Sequence, residues 1–209
     1  MNKVYLVRHG QTNWNKEGRC QGKTNISLNE DGVNQAKALR DKIDTNNIDI
    51  CIVSPLNRAL ETAKIITDNK INLIIDDRIV ERGFGTLEGK LFNHEATKNS
   101  WDYELDYDEY GIETIKEVLK RAKNFLDYVN KTYDNKNILI ADLDRTETKR
   151  EPIEKLLANS PATTFEVEHA AIFKEYKIIH SFSLKKQLKK IEKIFKYHKE
   201  GGRNVKKSI

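Results

Sequence analysis

The chain has 209 residues, 38% of them hydrophobic and 33% charged, with a formal net charge of +5. That length supports one substantial core, and that balance belongs to a globular chain rather than a disordered one. No apolar run is long enough to span a bilayer, nothing ahead of Val4 reads as a signal peptide, and Cys20 and Cys51 are too few for a disulfide scaffold. A cytoplasmic, reducing compartment is therefore expected.

In chain order, residues 4–7 form a short apolar run that reads as a strand. A helix is predicted over residues 29–43, with Val33, Ala36, Leu39 and Ile43 on one face and Ser27 with Glu30 as its capping box. Residues 48–53 read as a second strand. The next helix is predicted over residues 55–67, with Ser54 at the N-cap and Pro55 in the first helical position. Residues 71–75 are apolar except for Asn72 and read as a buried strand. Three glycines within residues 83–89 then mark a shaped loop. Residues 92–111 are acidic and aromatic. A long helix is predicted over residues 112–133, where Ile115, Val118, Leu119, Ala122, Phe125, Leu126 and Val129 recur at helical spacing. Residues 137–141 and 171–178 read as further strands. Alternating strands and helices predict an α/β fold, a three-layer α/β/α sandwich with a mostly parallel central sheet. In such sheets ligands bind at the carboxyl ends of the strands.

The chemistry gathers at those ends. Arg8-His9-Gly10 closes the first strand. The arginine offers a planar fork of donors to phosphate oxygens and keeps its charge at any working pH. A neutral imidazole offers a nucleophilic nitrogen, and the glycine lets the backbone turn sharply. Arg58 lies in the first turn of a helix that follows the second strand, within reach of an anion at the helix N-terminus. Glu81 and Glu88 bracket the glycine-rich loop, and Glu88 reads as a cap for backbone amides. Arg8-His9, Arg58 and the Glu81 loop all follow strands, so they are expected to converge on one edge of the sheet.

With Asn15, the segment from Arg8 resembles the signature of the histidine phosphatase superfamily, also called the phosphoglycerate mutase-like family. Residues 54–63 and 81–89 resemble two further parts of its pattern in the correct order, and residues 18–32 follow its usual course. The resemblance implies a phosphoryl transfer in which His9 is the nucleophile, Arg8 and Arg58 clamp the phosphate, and Glu81 is the general acid. It also implies that Asn15 and Gln21 help to hold phosphate or substrate, and that residues 90–111 form a variable lid. No cofactor or metal is implied, because the arginines supply the electrostatics. No His or Cys pair has metal-ligand spacing.

The chain departs from the family where a second histidine is expected. The strand at 137–141 is followed by Asp142-Leu143-Asp144, with Leu143 at the position of that histidine. Losing one preorganised donor of this kind typically costs roughly 10²–10³ in rate. Residues 142–170 as a whole fit the family pattern poorly. His169, His180 and His198 are the later histidines that could stand in, though each reads first as an ordinary surface or strand-end residue. His94 is a somewhat better candidate for a substrate contact.

The expected function is hydrolysis of a small phosphomonoester through a phosphohistidine, at a rate reduced by the missing histidine. Mutase activity is disfavoured, because retaining the phosphoryl group demands a complete pocket. The alternative is a pseudoenzyme that keeps the fold as an anion-binding or interaction protein. The expected partner is a small phosphorylated substrate or inorganic phosphate. The expected organisation is one domain over residues 1–180 and a basic tail over 181–209. Residues 184–209 hold ten Lys or Arg and two Glu, a net charge of +8. Leu184, Leu188, Ile191 and Phe195 make one apolar helix face there, which docks on the domain; contact with nucleic acid or an anionic membrane is the sharper alternative.

Overall fold

A computed structural model describes residues 2–101, 105–142 and 163–166. Its centre is a five-stranded sheet built from β1 (Asn2–Val7), β2 (Ile50–Val53), β3 (Leu73–Ile75), β4 (Asn137–Ala141) and β5 (Thr163–Glu166). The spatial order is β3-β2-β4-β1-β5, and every pairing is parallel. Parallel strands need crossovers, and the helices supply them. The helices are α1 (Asn13–Glu17), α2 (Glu30–Arg40), α3 (Asn57–Thr67), α4 (His94–Thr97) and α5 (Ile115–Thr132).

The strand period of two divides the core. Val4, Ile52, Ile138 and Ile140 pack with Val118, Phe125, Leu126 and Val129 of α5 on one face of the sheet. Cys51, Val53, Leu139 and Ala141 pack with Leu39 of α2 and Ala59, Ala63 and Ile66 of α3 on the other. Helices thus cover both faces, and the fold is the α/β layering expected from the alternation of elements. β4 runs between β1 and β2 and is buried from Ile138 to Ala141, which is why its sequence is a continuous apolar run.

Three local expectations need correction, and one strand lies where the sequence reading placed none. The capping box from Ser27 and Glu30 does not form; Asn29 caps α2 by accepting from Gly32 N–H at 2.8 Å. Asn29 is held in place by Gln11, whose side-chain oxygen accepts from Asn29 Nδ2 at 2.9 Å, so a tertiary tether chooses the cap. α3 begins at Asn57 after an N-cap at Leu56, two residues later than a Ser54 cap would place it. β3 is not a buried strand. It lies at the end of the described sheet, pairing with β2 alone, and Ile75 is 57% exposed. Finally, a strand occurs at β5, inside the stretch that fits the family pattern poorly, and pairs with β1 from Asn2 to Tyr5. The strand expected at 171–178, the domain boundary near 180, the basic tail, Leu143, Asp144 and His169, His180 and His198 lie outside the described residues.

Candidate active site

β1, β2 and β4 end together, and the side chains just beyond their carboxyl ends face one another. Arg8 is half-buried and His9 is 4% exposed. His9 Nδ1 lies 2.6 Å from the carbonyl of Gly10. A carbonyl can only accept, so Nδ1 carries a proton, and whenever the ring is neutral its lone pair is on Nε2. The turn that achieves this needs glycine twice. A Cβ on Gly10 would come within 2.4 Å of the Gly32 carbonyl oxygen, and a Cβ on Gly32 within 2.1 Å of the Gln11 carbonyl oxygen. The loop after β1 therefore rests backbone to backbone on the start of α2. Thr62 of α3 ties down the other side, accepting from Gly10 N–H at 3.0 Å and donating to the Arg58 carbonyl at 2.7 Å.

Arg58 is fully buried. Nη1 donates to the Thr24 carbonyl at 2.9 Å, and Nη2 donates to the Gly22 carbonyl at 2.7 Å and to Glu81 Oε2 at 2.8 Å. Arg58 and Glu81 are thus in direct contact, as convergence on one sheet edge required. The guanidinium is nevertheless not a free fork, because its terminal nitrogens hold the loop and the glutamate. Its Nε has no hydrogen-bond partner.

Asp142 completes the group. It follows β4, it is 6% exposed, and it stands between the two basic side chains. Its Oδ1 is 3.9 Å from His9 Nε2, and its Oδ2 is 3.9 Å from Arg58 Nε. A long contact of 3.5 Å runs from His9 N–H to Oδ1. Four buried polar atoms at this edge lack hydrogen-bond partners: His9 Nε2, Ser54 Oγ, Arg58 Nε and Asp142 Oδ2. Buried polar groups are normally satisfied, so such a cluster marks a place that accommodates a polar ligand. Ser54 and Asp142 are the two members that motif reading did not place in the site. The available signal was positional, since each immediately follows a strand.

Asn15 and Gln21 support the loop through their side-chain oxygens. Asn15 Oδ1 accepts from Thr12 N–H at 3.0 Å, inside the capping box of α1, and Gln21 Oε1 accepts from Thr12 Oγ1 at 2.8 Å. Glu88 caps amides as expected, accepting from Lys23 N–H at 3.1 Å, Thr24 N–H at 2.9 Å and Phe84 N–H at 2.9 Å. It thereby binds the glycine-rich loop to the segment that receives Arg58. Cys20 lies beneath this region. Burial, then the charges of Glu81 and Glu88, push its thiol up to about 12, so it stays a neutral thiol. Of the lid expected over residues 90–111, Leu91, Phe92, Leu105 and Tyr110 are exposed, while Tyr107 packs on the cluster of Cys20, Phe84 and Ile112. His94 opens α4 in that segment. Among the described residues, no group of His, Cys, Asp and Glu side chains could hold a metal ion, and no helix is long and apolar enough to cross a membrane.

The sequence profile of the histidine phosphatase superfamily, branch 1, matches residues 4–142. The chain is 39% identical over 141 residues to an uncharacterised phosphatase, PhoE, of Bacillus subtilis, covering 67% of this chain and 70% of that protein. It is 33% identical over 147 residues to phosphoserine phosphatase 1 of Hydrogenobacter thermophilus, covering 67% and 70%. Among solved structures it resembles a histidine-to-alanine mutant of phosphoserine phosphatase from Entamoeba histolytica in complex with phosphoserine. That pair shares 34% identity and a TM-score of 0.58, over 67% of this chain and 73% of the other. The profile, the phosphatase relatives and the parallel sheet with its histidine-bearing edge agree: the chain belongs to the histidine phosphatase superfamily, a family of histidine-dependent phosphatases.

Proposed function

We propose that the chain hydrolyses a small phosphomonoester through a phosphohistidine formed on His9. The observation that carries this reading is the 2.6 Å contact of His9 Nδ1 with the Gly10 carbonyl, which leaves Nε2 as the nucleophilic nitrogen beside Asp142, itself 3.9 Å from Arg58 Nε. In the reaction, Nε2 attacks phosphorus in line and the bond to the leaving oxygen breaks. Arg8 and the Nε–H of Arg58 bind non-bridging oxygens as charge shifts onto them. Glu81, half-buried and joined to Arg58, protonates the leaving oxygen and then takes a proton from the water that hydrolyses the phosphohistidine. Asn15 and Gln21 contribute through their amide NH2 groups, since their oxygens serve the Thr12 cap. Phosphoserine is the first physiological compound to try, because two of the relatives carry that substrate in their names.

The test is turnover of a generic aryl phosphate by the purified protein, with His9→Ala as control. The phosphoenzyme is trapped by quenching into base, where a phosphorus–nitrogen bond survives, and is lost in acid. Turnover abolished in His9→Ala together with a base-stable, acid-labile label is the expected result. Turnover unchanged in His9→Ala would sink the assignment. Phosphate binding without turnover in the parent would support the anion-binding alternative instead.

A further inference from the structure

We infer that the carboxylate of Asp142 is an internal anion that competes with phosphate for Arg58 beside His9, and so sets how tightly this site holds a phosphoryl group. The inference rests on the reading of this edge as a phosphate site. It adds a determinant of affinity that belongs to this chain.

The placement is specific. Asp142 N–H donates to the Val7 carbonyl at 2.8 Å, which extends the β4 pairing one step past the strand. The backbone then turns with φ of 70°, in the left-handed region. With the main chain so fixed, the side chain is buried between β1 and α3. Its Oδ2 lies 3.9 Å from Arg58 Nε, too long for a hydrogen bond but close for opposite charges, and its Oδ1 lies 3.9 Å from His9 Nε2. Neither His9 Nε2 nor Arg58 Nε has another partner, and both are buried. A phosphate bound for attack by His9 would set its phosphorus in line with Nε2 and an oxygen against Arg58 Nε. It would then lie beside the Asp142 carboxylate, which no solvent screens at 6% exposure. Like charges placed together in such a site weaken binding substantially. Glu81 is the other carboxylate at this edge, but Arg58 Nη2 balances it at 2.8 Å, whereas Asp142 Oδ2 has no hydrogen bond. Of these two carboxylates, Asp142 is therefore the one without a hydrogen-bonded cation.

The experiment measures inorganic phosphate binding to the full chain by calorimetry and phosphorus NMR, for the parent, Asp142→Asn and Asp142→Gly. Both replacements accept a left-handed backbone, so the turn survives, and thermal melting verifies it. Both should bind phosphate roughly tenfold or more tightly than the parent, because each removes a like charge adjacent to the ligand. Equal or weaker binding in both folded variants, with measurable binding in the parent, would overturn the competition and leave the phosphate site standing. Absence of phosphate binding in all three proteins at millimolar concentration would overturn the phosphate site and the competition together. The KM for an aryl phosphate gives a second readout. It should fall with the dissociation constant, whereas a merely structural role for Asp142 would lower kcat and leave KM unimproved.

Discussion

At the residue scale, the glutamates of the site differ in what they hold. Glu81 reaches Arg58 and is half-buried, so it has both a partner and access. Glu81→Gln should lower kcat by about 10²–10³-fold on an alkyl phosphate. The loss should be clearly smaller on a nitrophenyl phosphate, whose leaving group needs little protonation. Equal losses on the two substrates would assign Glu81 to holding Arg58 rather than to proton transfer. Glu88 has a structural task, because one carboxylate satisfies three backbone amides from two segments. Glu88→Ala leaves those amides without their acceptor and should cost about 2–3 kcal/mol in urea unfolding. His9, Arg8, Arg58 and Glu81 were legible as candidates because strand-end position and residue type point to them. That Arg58 spends its terminal nitrogens on Gly22, Thr24 and Glu81 was not legible, since those partners lie 36, 34 and 23 positions away.

At the scale of elements, α5 shows how local and distant terms combine. Its start carries the pattern Thr114-Ile115-Lys116-Glu117, and the capping box forms, with Thr114 Oγ1 accepting from Glu117 N–H at 3.2 Å. Thr114→Ala should cost about 1 kcal/mol, read from chemical denaturation. Immediately before the helix, Glu113 joins α5 to the glycine-rich loop. It accepts from Arg121 Nε at 2.8 Å and Gly83 N–H at 3.1 Å, and Lys23 Nζ lies 3.1 Å away. Burial pushes the Glu113 carboxyl up, but the bonds from Arg121, Gly83 and Lys23 outweigh it and hold the carboxyl below its ordinary value. Burial likewise pushes the Asp76 carboxyl up, and the bonds from Arg78 outweigh it, so it too is lowered. A carboxyl depressed in the folded state stabilises the fold above its unfolded pKa, and that contribution is lost as pH falls through the folded value. Stability should therefore drop below the ordinary carboxylate range. Glu113→Gln should be destabilised by about 2 kcal/mol at pH 7, with the difference from the parent shrinking as the pH is lowered through that range. A difference independent of pH would show that the ionised form of Glu113 does not matter.

At the scale of the whole molecule, the sheet order decides which apolar residues count. Phe125 is fully buried against the β4 face, and Phe125→Ala should cost about 3–5 kcal/mol. Ile75 looks equally apolar in the sequence, yet it is 57% exposed on β3. Ile75→Ala should stay within about 0.5 kcal/mol of the parent in the same urea melts. The two-faced core also explains the thiols. Cys51 lies wholly inside the face covered by α2 and α3, and burial pushes it up to about 12, so it behaves as a small core residue.

The sequence by itself determined the layering, because a period of two in the strands and of 3.6 in the helices follows from backbone geometry and shows in the spacing of apolar residues. It determined the family, because Arg8-His9-Gly10, the segment around Arg58 and the loop from Glu81 keep both residue types and order. Only the tertiary structure decided the edge position of β3, since a three-residue strand carries no record of its neighbours. It also decided the cap of α2, where Gln11 secures Asn29 over Ser27, and the pairing of β5 with β1 across more than 150 residues. The same holds for the Asp142 carboxylate between His9 and Arg58. Its orientation depends on one left-handed backbone angle and on the hydrogen bond to Val7, and neither is encoded within the few residues around it.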